Sequence, residues 1–210
     1  MFRIDKGMVL YRSYNAFKSI SQRVYNLIVR YRFNNSKIDH IDRSARIEGF
    51  EYIKIGDNFI ALLGFRLEAF SGYKSQRCNP KLIIKNNVTV NDYVHIGCIN
   101  SVEIGNNVLI ASKVFISDHS HGNYLGPEQD SPESSPAERI LSSKAIVIED
   151  NVWIGEGVTI LPGVRIGFGC IIGAHSVVTR SIPPRSIAVG VPAKVIKTYN
   201  HSTMIWELVN

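Results

Sequence analysis

The sequence predicts an all-β fold: a left-handed parallel β-helix carrying an N-terminal amphipathic helix and one extruded loop. Three observations lead there. Every sixth residue from Ile148 to Val178 is a branched aliphatic: Ile148, Ile154, Ile160, Ile166, Ile172 and Val178. Four residues after each of the first five stands a small residue: Val152, Val158, Val164, Cys170 and Ser176. The same rhythm recurs upstream at Ile84, Val90 and Ile96, slips by two residues, and resumes at Ile104, Ile110 and Ile116. A period of six fits neither a helix nor a simple hairpin. It is the hexapeptide repeat, in which each hexad forms one flat face and three hexads close a triangular coil. The first position of each hexad points into the core and the fifth points inward where space is tighter. Gly155, Gly167 and Gly173 follow three of the aliphatics, and there the repeat predicts corners with unusual backbone.

The chain divides into residues 1–37, a basic amphipathic segment, residues 38–198, the β-helix, and a tail, 199–210. Leu10, Tyr14, Phe17, Ile20, Val24, Leu27, Ile28 and Tyr31 recur at helical steps over residues 9–33. This predicts a helix packed on the coils, or one in peripheral contact, through residues 1–33, with the anionic surface of the inner membrane. Residues 38–78 read as irregular first coils with an insertion near 62–75. Between Ile116 and Ile148 the repeat breaks, predicting an extruded loop over about 117–146. Long loops in compact folds are commonly functional. Trp206 and Leu208 are expected to fold back on the last coil.

Charge is unevenly placed. Residues 1–37 hold eight Lys or Arg against Asp5 alone, a balance of +7, within a chain of net charge +6. The basic character therefore belongs to the first segment, and no nucleic-acid motif accompanies it. Cys78, Cys98 and Cys170 have no tight spacing and read as apolar filler in a reducing compartment. No signal peptide or spanning segment is legible, so a cytoplasmic protein is expected. No Walker loop, glycosidase carboxylate pair or zinc-spaced Cys/His cluster is present, and no metal is expected. The chemistry falls to the histidines: His95 on a coil, and His119 and His121 at the start of the loop.

Several blocks carry a family likeness: Asn91-Asp92-Tyr93-Val94-His95-Ile96; the run from Val108 to Gly122 through Ser117-Asp118-His119-Ser120-His121; Val152-Trp153-Ile154-Gly155; Gly173 to Thr179; and Gly190 to Ile196. Over residues 80–198 the chain resembles the hexapeptide-repeat acetyltransferases of the maltose and galactoside branch, most of all the O-acetyltransferases of lipopolysaccharide and O-antigen. The resemblance implies a homotrimer that moves acetyl from acetyl-CoA to a sugar of a surface polysaccharide. It puts the catalytic histidine at His121 by ungapped counting, with His119 as second choice. It puts the acceptor-binding asparagine at Asn91, with His95 beside it, and the acetyl-CoA groove at Ala174, Thr179, Arg180, Lys194 and Lys197. One groove position that is often serine is Glu156 here.

The residue types suit that reaction. An imidazole, with a pKa ordinarily about 6.5, takes a proton from an attacking hydroxyl near neutral pH. A backbone carbonyl or Asp118 would orient it. Three other readings stay open: an N-acetyltransferase of a nucleotide-linked amino sugar, a zinc enzyme using His95, His119 and His121, and a non-catalytic membrane-associated scaffold.

Overall fold

The computed structural model describes residues 6–209, with side chains from residue 16 onward. After the helix α1 (Lys6–Arg32), the chain passes in rotation through three parallel sheets, leaving one short strand in each per coil. The first coil is β1 (His40–Ile41), β2 (Arg46–Glu48) and β3 (Ile53–Ile55). The second is β4 (Ile60–Ala61), β5 (Arg66–Ala69), a hairpin of β6 (Gly72–Tyr73) and β7 (Gln76–Arg77), then β8 (Lys81–Ile84). The third is β9 (Thr89–Val90), β10 (His95–Cys98) and β11 (Ser101–Ile104). The fourth is β12 (Leu109–Ile110) and β13 (Phe115–Ser117), the loop with its antiparallel β14 (His119–His121) and β15 (Leu141–Ser143), and β16 (Ile146–Ile148). The fifth is β17 (Trp153–Ile154), β18 (Thr159–Ile160) and β19 (Arg165–Ile166). The sixth holds β20 (Ile171–Ile172) and β21 (Val177–Val178), after which β22 (Ser186–Val189) rejoins the first sheet. There β23 (Lys194–Asn200) and β24 (Ile205–Leu208) extend it antiparallel.

The sequence period is the stacking register. Ile148 pairs with Ile166, Ile154 with Ile172 and Ile160 with Val178, three hexads apart. All six aliphatics of this run and Val152, Val158, Val164, Cys170 and Ser176 are buried. Upstream, Ile84 pairs with Ile104 and Ile96 with Ile116, two residues more per coil. The surplus lies at the Ile99–Asn100 corner between β10 and β11, which is the slip seen in the sequence. Burial pushes the Cys98 thiol up to about 12, with Asp118 adding to it, so it packs as a neutral group.

Four expectations need correction. Gly155, Gly167 and Gly173 do not have the left-handed backbone expected of them. They admit the next coil instead: a Cβ on Gly155 would lie 2.7 Å from the Ala174 nitrogen, and one on Gly167 2.5 Å from the Pro184 nitrogen. Left-handed backbone falls at Asn58, Asn87, Asn107 and Asn151, with φ between 56° and 60°. Their side-chain amides form a ladder up one corner, at 2.7, 2.9 and 3.0 Å. Asparagine tolerates this conformation better than other chiral residues, and the ladder pairs each amide with the next.

The insertion lies over residues 70–80, around the hairpin β6–β7, because Leu67 is a buried member of the second coil paired with Ile47. At the tail, Trp206 packs edge-on against Tyr199 with centroids 5.3 Å apart, but Leu208 is 73% exposed and covers nothing. Finally, α1 docks through a mixed face, Gln22, Asn26 and Arg30 together with Tyr25 and Val29, rather than through its main apolar stripe. Leu10 and Tyr14 lie outside the described side chains, while Phe17, Ile20, Val24, Leu27, Ile28 and Tyr31 are exposed. The reason is the free edge of β1, whose Ile41 N–H and C=O point away from β4. Gln22 Nε2 donates to the Ile41 carbonyl at 2.6 Å, and the Ile41 N–H donates to Asn26 Oδ1 at 3.2 Å. Arg30 Nε reaches the Ile38 carbonyl at 2.7 Å. An open sheet edge needs hydrogen-bonding partners, and polar side chains one helical turn apart supply them. Val29 is buried under this face. Among the described residues, no helix is long and apolar enough to cross a membrane.

Candidate active site

The corner between the second and third strands of each coil gathers the site. From it emerge the β6–β7 hairpin in the second coil, the Ile99–Asn100 bend in the third and the long loop in the fourth. Asp118, fully buried, ties two of these together. Its carboxylate accepts the N–H of Ile99 at 3.0 Å and of Asn100 at 2.8 Å. The same carboxylate lies 2.8 Å from His119 Nδ1. Burial favours the neutral acid, but hydrogen bonds from His119, Asn100 and Ile99 outweigh it and hold the carboxyl below its ordinary range. A carboxylate only accepts, so Nδ1 of His119 carries the proton between them.

His119 and His121 stand two apart on β14 and therefore project from the same face. They share a pocket of about 260 Å³ with Phe70, Gly72, Tyr73 and Leu141. The Tyr73 ring meets His121 edge-on, with centroids 5.2 Å apart. Its hydroxyl donates to the Ala137 carbonyl at 2.7 Å, and Gln76 exchanges hydrogen bonds with Leu141 at 2.8 and 2.9 Å. The hairpin thus clamps the loop. Tyr124 donates to the His121 carbonyl at 2.6 Å and accepts from Arg139 at 2.6 Å, which bends the loop back on itself. Among the described residues, neither His121 ring nitrogen makes a hydrogen bond, which leaves both open to a substrate.

His95 lies one coil below. Its Nε2 is 2.9 Å from Glu68, a buried carboxylate that also meets Arg66 at 2.9 Å and Arg46 at 3.2 Å. Burial first, then Arg66, pushes the imidazole below its usual pKa despite Glu68, so it is neutral at physiological pH. Gly97 separates it from His119: a Cβ there would come 3.3 Å from His119 Cε1 and 3.8 Å from His95 Nε2.

The remaining sequence-assigned residues are dispersed. Asn91 sits at the corner before β10, a different edge of the coil from the two loop histidines, so one chain does not unite them. Thr179 lines a groove of about 270 Å³ with Ser120, Tyr124, Lys144, Leu161 and Pro162, and Arg180 follows it, exposed. Ala174 lies at the corner before β21, and Lys194 and Lys197 on β23. Glu156 pairs with Lys113 at 3.2 Å rather than standing free. Sequence reasoning missed Tyr73, Gln76 and Glu68; the one signal for the first two was the broken period around them. Among the described residues, no three His, Cys, Asp or Glu are placed to hold a metal.

Residues 145–180 match the model of the bacterial transferase hexapeptide (six repeats). The chain is 46% identical over 182 residues to a putative lipopolysaccharide biosynthesis O-acetyl transferase of Escherichia coli K12, covering 86% of this chain and 88% of that protein. It is 32% identical to the galactoside O-acetyltransferase of the same organism, over 85% and 80% of the two chains. Among solved structures, a hexapeptide-repeat containing acetyltransferase of Vibrio cholerae superposes with a TM-score of 0.50 at 25% identity, over 74% of this chain and 70% of that one. An N-acyltransferase of Bacillus cereus, in complex with dTDP-4-amino-4,6-dideoxyglucose and coenzyme A, superposes with a TM-score of 0.54 at 24% identity, over 80% and 84%, a likeness of fold. With its stacked hexads, its histidine-bearing loop and an O-acetyltransferase relative that it matches almost end to end, the chain belongs to the hexapeptide-repeat acetyltransferases.

Proposed function

We propose that this acetyltransferase moves the acetyl group of acetyl-CoA to a hydroxyl of a sugar in a bacterial surface polysaccharide, with His121 as general base. The observation that carries the reading is the pocket into which β14 projects two histidines, one with both ring nitrogens open. The acceptor hydroxyl gives its proton to the His121 imidazole as its oxygen attacks the thioester carbonyl. The C–O bond forms, the C–S bond breaks, and the imidazolium returns the proton to the departing thiolate. No covalent enzyme intermediate is needed. The groove that runs from the loop to Thr179 has apolar walls for a pantetheine arm, and Arg180 at its end suits phosphate. Lys194, Lys197 and Ala174 do not line this groove, which suits a donor held between neighbouring chains.

A second assignment of the base rests on one observation. Asp118 holds His119 through Nδ1 and turns its Nε2 side away from that contact, the arrangement by which a carboxylate orients a catalytic imidazole. In that version His121 binds the acceptor.

The separation of Asn91 from the histidines supports a cyclic trimer, in which the Asn91 edge of one subunit faces the loop of the next. We further read the winding as left-handed and place the enzyme on the cytoplasmic side, where acetyl-CoA is supplied. O-acetylation is favoured over N-acetylation because the two Escherichia coli relatives, 46% and 32% identical over 86% and 85% of this chain, are both O-acetyltransferases by name. Mass spectrometry of surface polysaccharide from cells with and without the protein tests this. The expected result is loss of one acetyl group that mild alkali removes from the wild-type polymer; an alkali-stable acetyl would move the acceptor to an amino sugar.

A further inference from the structure

Helix α1 docks by a mixed face of Gln22, Tyr25, Asn26, Val29 and Arg30, and leaves a second, apolar face uncovered. Gln22, Asn26 and Arg30 face the free edge of β1, and the exposed Ile20, Val24, Leu27, Ile28 and Tyr31 lie nearly opposite. Tyr31 is 86% exposed. A contiguous apolar stripe of this length on a protein surface marks an interaction site. We propose that it rests on an anionic lipid surface, with the helix lying in the interface plane.

Two features select that occupant. The first is charge. The helix contains Lys6, Arg12, Lys18, Arg23, Arg30 and Arg32 and no acidic residue, in a segment of +7, whereas the remaining chain has 16 basic and 17 acidic residues. Packing two such helices together would bring like charges into contact. Anionic headgroups neutralise them, and basic residues flanking an apolar face are the pattern of interfacial helices. The second is direction. Because α1 is hydrogen-bonded to the edge of β1 on the side away from β4, its uncovered side is turned away from the later coils, and the loop emerges from the fourth. Lipid contact and access to the histidines therefore do not compete. In a threefold assembly with parallel coils, the three faces point the same way. The inference does not depend on the acetyl-transfer reading, and vesicle binding is measured without either substrate.

The test is flotation of the full-length protein with phosphatidylcholine vesicles, with and without phosphatidylglycerol. The wild type is expected to float with the anionic vesicles and to stay behind with the neutral ones. Ile20→Ser/Leu27→Ser, two changes at exposed positions, is expected to keep the wild-type melting temperature and oligomeric mass and to lose about tenfold or more of the binding. Met204→Ser, an exposed apolar position at the other end of the chain, is expected to bind like the wild type. Failure of the wild type to bind anionic vesicles, or full binding by the double variant, overturns the proposal. A fall in oligomeric mass of the double variant without lipid also overturns it and makes the stripe a subunit contact.

Discussion

Asp118 Oδ1 lies 2.8 Å from His119 Nδ1, and the same carboxylate takes the backbone N–H groups of Ile99 and Asn100. One buried charge thereby joins the bend of the third coil to the root of the loop. Its hydrogen bonds hold the carboxyl below the usual range, so its contribution to stability is present above the unfolded-state value of about 3.9 and is lost as pH falls through the lower folded value. Asp118→Asn is expected to cost about 2–4 kcal/mol at pH 7, since two backbone N–H groups, that of Ile99 buried, lose a charged acceptor. Thermal melts from pH 7 to pH 3 should show the gap to wild type narrowing below about pH 4.

The two histidines separate by kinetics. His121→Ala is expected to lower kcat by roughly 10²–10⁴ with acetyl-CoA affinity unchanged, the usual contribution of a general base. His119→Ala is expected to do less. The reverse order in purified variants would transfer the proton to His119 and make Asp118 its orienting partner.

Tyr73 belongs to a different coil from His121 and still sets its surroundings. Tyr73→Phe keeps the edge-on ring and loses only the bond to Ala137. Tyr73→Ala loses both. An edge-on aromatic contact is worth about 0.5–1.5 kcal/mol, so kcat/KM for the acceptor is expected to fall by about three- to tenfold in the alanine variant. It should change little in the phenylalanine variant. Equal losses in the two would shift the importance from the ring to the hydroxyl.

Asn107 occupies the middle of the amide ladder at φ 56°, donating to Asn151 and accepting from Asn87. Asn107→Ala is expected to destabilise the protein by about 1–3 kcal/mol through lost hydrogen bonds and an unfavourable left-handed backbone. Asn107→Gly, which relieves the backbone term, should lose less. Denaturant melts of the two variants compare the terms, and an alanine variant no worse than glycine would leave the ladder bonds as the whole effect.

Light scattering is expected to give three times the 23.5 kDa chain mass at micromolar concentration. A fully active monomer would remove the reason for Asn91 and the histidines to lie on different edges.

The period of six was legible in the chain because it is a local rule: each aliphatic from Ile148 to Val178 must fill the same inward position, so the spacing repeats whatever surrounds it. The two-residue slip after Ile96 and the broken stretch after Ile116 were legible for the same reason, as departures from a regular beat. Asp118, His119 and His121 could be singled out because they are neighbours along the chain. What the pattern could not tell was which constraint a glycine answers. Gly155 follows an inward aliphatic in any reading, but only the approach of Ala174 from the next coil shows that the need is for space rather than for a left-handed turn. The apolar stripe of α1 likewise pointed to a packing face, and only the unpaired edge of β1 turned Gln22 and Asn26 inward beside Tyr25 and Val29, because the backbone of Ile41 requires hydrogen bonds that isoleucines cannot give. The meeting of Tyr73 with His121 and the hold of Asp118 on Ile99 and Asn100 join residues on different coils. Such contacts are decided by how coils of unequal length stack at one corner, and that stacking leaves no periodic mark in the sequence.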